Sequence, residues 1–380
     1  MKKKLLAVVM GIVLTGAMLT ACGSKAGAAE TVAEAGSSKA EAGSDGTAEA
    51  GSTAEAGGTA DGSGAAAAAQ DAKGLKAAAV FGGPITDKSW NETAYNGLKR
   101  IEEMGAETAY VENCTAADAP DAIRTFASSG YKLIYVNSSA FKDSAYELAA
   151  DFKDVTFIIN GVGQQGDNYV SIETANCEQG YIQGLLCAAA SDNGKVGMIC
   201  GTEMTPTLDC EAGFYQAIAY TNDKLNRKVE GKVTYLGNYT DTSAGYETGM
   251  SFAAEGCDVI TTVADNASNS VLQACEEKGV LCVGNGVGQS EVAPTTLIAS
   301  VKKDNEPTYV ESFKMYLDGT LFEKAAAETF GVNYNVVGLD GYYDAASCYT
   351  DEETAFIQET ISKIASGEIK VQTMVEYEAQ

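Results

Sequence analysis

Asp87, Lys88, Ser89, Trp90 and Asn91 follow an apolar run at 75–81 and place a carboxylate, an amide and the chain's single tryptophan within one helical turn. An indole offers a flat apolar face for stacking, and a carboxylate and amide beside it can bond the polar edge of a flat or sugar-like ligand. A tryptophan at the mouth of a helix also packs into cores, and the residues alone admit both roles. Other chemistry is thinly represented. The chain has no histidine, which removes the commonest general base, the usual zinc ligand and any Ser-His or Cys-His nucleophile pair. Paired-carboxylate enzymes such as glycosidases survive this exclusion, but they need two carboxylates about 5–9.5 Å apart in one cleft, and no spacing points to them. The run Gly284-Asn285-Gly286-Val287-Gly288 lacks the Gly-x-Gly-x-x-Gly spacing and a following Lys-Ser/Thr, and reads as a tight turn. No catalytic residue, metal site or cofactor is expected.

The elements that would hold Trp90 in place are legible. Short apolar runs at 75–81, 106–111, 133–136 and 155–159 alternate with amphipathic stretches at 91–104, 118–128 and 141–152. Continuous apolar strands alternating with helices predict a parallel sheet covered on both faces. The pattern then repeats through strands at 195–200, 232–236, 259–263 and 280–283, a further run at 297–301 and a final helix at 352–365. The fold class is α/β, with two doubly wound parallel-sheet lobes. Ligands of such sheets sit beyond the carboxyl ends of the strands. That rule selects the segment around Trp90, Ser138 after the third run, the loop from Met204 to Thr207, and the loop from Asp265 to Asn269. The last also reads as a helix-capping loop.

The first 22 residues concern location. Lys2, Lys3 and Lys4 precede an apolar run of 14 residues, from 5 to 18. A membrane-spanning helix needs about 20 apolar residues, so the run reads as an export signal. The ending Leu19-Thr20-Ala21-Cys22 resembles the bacterial lipoprotein box, in which the cysteine is acylated; a plain secretory peptide is the alternative. Residues 23–73 repeat Ala-Glu-Ala-Gly four times and hold no apolar residue larger than Val32. Such a segment cannot bury a core and reads as a tether, spanning roughly 40 Å as a flexible coil. The chain carries 52 acidic and 26 basic residues, a balance that repels nucleic acid and anionic lipid. The membrane partner is therefore expected through the lipid anchor alone. Nine cysteines follow Cys22, an odd number without a Cys-x-x-Cys pair, and most lie among apolar neighbours. They read as small buried hydrophobes.

Asp87-Lys88-Ser89-Trp90-Asn91, with Gly97 following, resembles the Asp-x-Ser-Phe-Asn…Gly motif of the basic membrane protein family. Asn176-Cys177-Glu178-Gln179-Gly180-Tyr181, Gly194–Ile199 through Gly213-Phe214, and Ser300-Val301-Lys302-Lys303 resemble further family segments in order. These lipoproteins include purine-nucleoside receptors of spirochaetes and serve as substrate-binding components of ABC transporters. The resemblance implies a type I periplasmic-binding-protein fold, two lobes joined by three crossovers that close on ligand at a hinge. It divides the chain into a signal at 1–21, a tether at 22–73, one lobe at 74–175 plus 297–325, and the other at 176–296 plus 326–380. It implies Trp90 in place of the stacking Phe, Asp87 and Asn91 bonding the ligand, and Lys302 as the cleft lysine. Asn160 stands where the family usually has Asp, and Asn285 lies in a run that lacks both aspartates of the family's Gly-x-Asp-Ser-Asp. Ser138, Met204 and Asp265 complete the expected ligand site. The implied protein is a lipid-anchored, extracytoplasmic receptor that delivers a small molecule, a purine nucleoside foremost, to ABC permease subunits. A sugar or other small polar metabolite is the alternative cargo. A sensor presenting its ligand to a membrane partner is the alternative role.

Overall fold

The computed structural model describes residues 72–379 apart from 88, 89 and 162. The expected signal, Cys22 and nearly all of the expected tether lie outside the described residues. Ala72 is buried in the first core, so the fold begins just inside the segment read as tether.

The first lobe opens with β1 (Lys76–Val80), α1 (Trp90–Glu103), β2 (Glu107–Val111), α2 (Ala119–Ser128), β3 (Leu133–Val136), α3 (Lys142–Asp151), β4 (Thr156–Asn160) and β5 (Tyr169–Thr174). The chain then crosses to the second lobe and forms α4 (Asn176–Ala190), β6 (Lys195–Cys200), α5 (Thr205–Leu225), β7 (Glu230–Tyr235), α6 (Thr242–Ala254), β8 (Val259–Val263), α7 (Asn266–Lys278), β9 (Leu281–Asn285) and β10 (Leu297–Lys303). It returns for α8 (Asn305–Leu317), α9 (Leu321–Ala327) and β11 (Thr329–Phe330). A last crossing yields β12 (Val337–Tyr342), α10 (Asp351–Ala365) and α11 (Met374–Glu378). The two six-stranded sheets run β11-β5-β4-β3-β1-β2 and β12-β10-β9-β8-β6-β7. Every strand pairing is parallel except β12 against β10.

Two of the expected lobe boundaries move. β10 pairs with β9 and β12, so residues 297–303 belong to the second sheet. β11 pairs with β5, so the first lobe continues to Phe330 and its second piece is 304–330. The apolar run at 297–301 announces a buried strand, but its composition does not say which sheet receives it.

Burial on both faces explains the continuous apolar strands. Along β1, Ala77 and Ala79 face a layer holding Leu98 of α1 and Phe313 of α8, while Ala78 and Val80 face Ile123 of α2 and Leu148 of α3. In the second lobe α4 is buried nearly all round, as a helix at the centre of a domain must be. It lies directly against α5. A Cβ on Gly180 would fall 1.9 Å from the Cys210 carbonyl oxygen, and one on Gly213 would fall 1.9 Å from that of Cys177. Glycines on both helices allow this approach, Gly184 of α4 being a third, with a Cβ there 2.6 Å from the Phe214 carbonyl oxygen. Eight of the nine cysteines after Cys22 are buried free thiols and Cys348 is exposed. No helix among the described residues is long and apolar enough to cross a membrane.

Candidate functional site

Strand ends from both sheets meet the crossovers around Trp90. Asp87 caps α1: its carboxylate accepts from the backbone N–H groups of Asn91 and Glu92, both at 3.0 Å, and from Asn91 Nδ2 at 2.8 Å. Gly83 leaves room for that amide, because a Cβ there would lie 2.7 Å from Asn91 Nδ2. Trp90 is half-buried, and its Nε1 donates to the Asn137 carbonyl at 2.9 Å, pinning the indole to the end of β3. The Trp90 carbonyl accepts from Asn305 Nδ2 at 3.1 Å, which ties α1 to the start of α8. Side-chain amides continue the site: Asn137 Nδ2 faces Asn91 Oδ1 at 3.5 Å, and Asn160 Nδ2 donates to Asn137 Oδ1 at 2.8 Å. Ser138 caps a short 3-10 turn, its Oγ accepting from Ala140 N–H at 3.3 Å.

The second lobe contributes from the ends of β6, β8 and β9. Met204 stands exposed ahead of α5, with the Tyr239 hydroxyl donating to its sulfur at 3.2 Å. Asp265 lies just beyond β8, at the N-cap of α7, with φ +43° and ψ −118°, a conformation that strains any residue but glycine and marks functional positions when neighbours enforce it. Its carboxylate reaches solvent, yet surrounding protein withdraws enough water to push its pKa above the usual carboxylate range. The charge of Lys303 opposes that rise and the charge of Asp87 adds to it. Asn285 is committed to structure on two sides: its Oδ1 accepts from Gln179 Nε2 at 2.6 Å, and its N–H donates to Gln289 Oε1 at 2.8 Å.

The cation at this site is Lys303. Its Nζ lies 5.0 Å from the centroid of the Trp90 ring and donates to Asn176 Oδ1 at 3.2 Å. It thereby joins the end of β10 to α1 and α4. Lys302 is turned away toward Asp304, 3.7 Å from its carboxylate. Successive strand residues point to opposite sides, so only one of the two lysines can lie over the indole. The loops expected at 204–207 and 265–269 are mostly helix: α5 begins at Thr205 and α7 at Asn266, leaving Met204 and Asp265 as the residues outside them. Sequence reasoning missed Asn137, Lys303 and Asn305. Asn137 directly follows the apolar run of β3, so the strand-end rule could have found it. Asn305 opens α8, ahead of the residues whose pattern announces that helix.

The site thus offers a flat ring fixed by its N–H, a row of amides, a strained carboxylate and an ammonium, drawn from both lobes. Residues 75–374 match the family model described as ABC transporter substrate-binding protein, PnrA-like. The chain belongs to that family. It is 26% identical to a purine-binding protein of Brucella abortus over 80% of this chain and 84% of the relative. It is 25% identical to basic membrane protein A2 of Borrelia garinii over 70% of this chain and 79% of the relative. A solute-binding protein of Conexibacter woesei shares the fold with a TM-score of 0.65 at 19% identity, over 79% of this chain and 99% of that one.

Proposed function

We propose that this member of the family is the receptor of an ABC importer, held outside the cell by an acylated Cys22, that takes a purine nucleoside or closely related purine between its lobes. The observation that carries the reading is Trp90. It is the chain's only tryptophan, half-buried where the two lobes meet, and clamped by its N–H to Asn137 rather than sunk in a core. A ring held in this way is a platform for a flat heterocycle, and the neighbouring amides and Asp265 supply polar partners for its edge. The name of the Brucella relative agrees with a purine. Ligand contacts from both lobes would shift the hinge equilibrium toward closure, and the closed form would be presented to the permease.

Thermal shift with nucleosides, nucleobases and sugars tests the reading, since specific ligands stabilise the folded state by mass action. A rise in melting temperature with purines is expected. A response to sugars alone would defeat the purine assignment and favour the alternative cargo. Trp90→Ala should abolish the purine response while the unliganded protein stays folded; undiminished affinity would return Trp90 to a packing role.

A further inference from the structure

The three crossovers between the lobes are tied to one another in pairs. Between the first and third, Ala175 N–H donates to the Phe330 carbonyl at 3.1 Å, and Val332 N–H donates to Glu178 Oε2 at 2.7 Å. Between the second and third, Asp304 N–H donates to the Val336 carbonyl at 2.7 Å, next to the pairing of Lys303 with Val337. Between the first and second, Lys303 Nζ donates to Asn176 Oδ1 at 3.2 Å. Asn176 and Glu178 both stand in the first turn of α4, so one helical turn grips the other two crossovers. The grip at Glu178 is close. A Cβ on Gly331 would lie 2.0 Å from Glu178 Oε2, so glycine is needed for the third crossover to lie against the carboxylate. Glu178 is half-buried; burial raises its pKa and the Val332 N–H opposes that rise. A carboxylate held partly out of water bonds a backbone N–H more strongly than one at the open surface. Glu178 otherwise opens on a cavity lined by Asn333, Ser366 and Lys370, which are not residues of the Trp90 site.

We infer that Glu178 is a positioning residue for ligand binding: by fixing the third crossover at Val332 it steadies the second, and so keeps the Lys303 ammonium over Trp90. Lys303 is anchored twice. One anchor is direct, through Asn176; the other runs through the backbone pairing of residues 303–304 with 336–337. Both end on the same turn of α4. Without Glu178 the second anchor is loose. Ligand binding must then order the hinge as well as fill the site, and affinity falls by that cost. The effect on affinity rests on the receptor reading above; the effect on Lys303 does not.

The test measures Trp90 emission of the unliganded protein, and dissociation constants for adenosine, guanosine and inosine, in Glu178→Ala, Glu178→Asp and Glu178→Gln. Alanine removes the acceptor and aspartate draws it back by one methylene group. Both should shift the emission and weaken nucleoside binding, by about tenfold for alanine, the effect of roughly one good hydrogen bond. Glutamine keeps an acceptor oxygen at the same reach; it should leave the emission in place and affinity within about threefold of wild type. In a Lys303→Met background, Glu178→Ala should shift the emission no further, because the two changes act on one unit. Glu178→Asp carries the test if Glu178→Ala does not fold. A lower melting temperature with emission and affinity unmoved would make Glu178 a packing residue and overturn the inference. Glutamine as damaging as alanine overturns it too, as does an equal emission shift with and without Lys303. If no purine binds the wild type, the purine reading falls, and the emission series still decides whether Glu178 positions Lys303.

Discussion

Replacing Lys303 with methionine tests how the hinge is wired. The change keeps most of the aliphatic stem and removes the charge that lies 5.0 Å from the Trp90 centroid and 3.2 Å from Asn176 Oδ1. A cation–π contact at a half-exposed site contributes about 0.5–1 kcal/mol, and a hydrogen bond from a charged donor about 1.5–3 kcal/mol when buried, less here. Together these give a loss of about 2 kcal/mol, or a few degrees in melting temperature for a chain of this size. Lys302→Met removes only a 3.7 Å pairing with Asp304 and should cost less than about 1 kcal/mol. Because Trp90 is the only tryptophan, its emission reports the lysine above it: Lys303→Met should shift the spectrum and Lys302→Met should leave it in place. A titration gives a second reading. Burial raises the Asp265 pKa and Lys303 opposes the rise, so in Lys303→Met the Asp265 pKa should climb further. A carboxyl whose folded pKa exceeds its unfolded value binds the extra proton in the folded state. Stability then falls as pH rises from about 4 through the raised pKa and is level above it. The variant should extend that falling limb to higher pH. Equal effects of the two lysine variants on emission, or an unmoved limb, would refute this account of the hinge.

Gly180→Ala should unfold the second lobe or weaken it by about 3 kcal/mol, read by urea denaturation, because its new methyl would meet the Cys210 carbonyl at 1.9 Å. Asp265→Gly should raise the melting temperature by relieving about 1 kcal/mol or more of backbone strain at φ +43°, while purine affinity drops at least tenfold in a thermal shift titration. A maleimide applied to the native protein should reach Cys348 and none of the other eight cysteines from Cys114 onward until denaturant is added. Even Cys348 should react slowly at neutral pH, since partial burial pushes its thiol up to about 11.

Periodicity located most of the parallel core because buried parallel strands read as unbroken apolar runs, and β3, β6 and β8 fall where that pattern puts them. It failed where burial is one-sided or the element is short. β5 mixes Ser171 and Glu173 among apolar residues, β11 has two residues, and β12 is an antiparallel edge containing Asp340 and two glycines. The site was legible to the same degree. The strand-end rule and the family motif brought Asp87, Trp90, Asn91 and Asp265 into view. Which of two adjacent lysines lies over an indole depends on strand parity and the crossover path, neither of which is written in local composition. The amide row escaped notice for the same reason: Asn91, Asn137 and Asn160 come from three separate elements and become one unit only when β1, β3 and β4 lie side by side.

The interleaved path of the chain also sets an order of events during synthesis. Domains usually complete themselves from the N-terminus as they emerge, but the first lobe here lacks α8 and its outer strand until residue 330 is made, and the second lacks its antiparallel edge until residue 342. Chain released before that point holds two unfinished sheets with open edges, and open edges recruit other chains. The two lobes therefore mature almost together, near the end of a 380-residue chain. A stop or frameshift late in the gene should cost both lobes, and protection of the nascent chain matters for nearly its whole length.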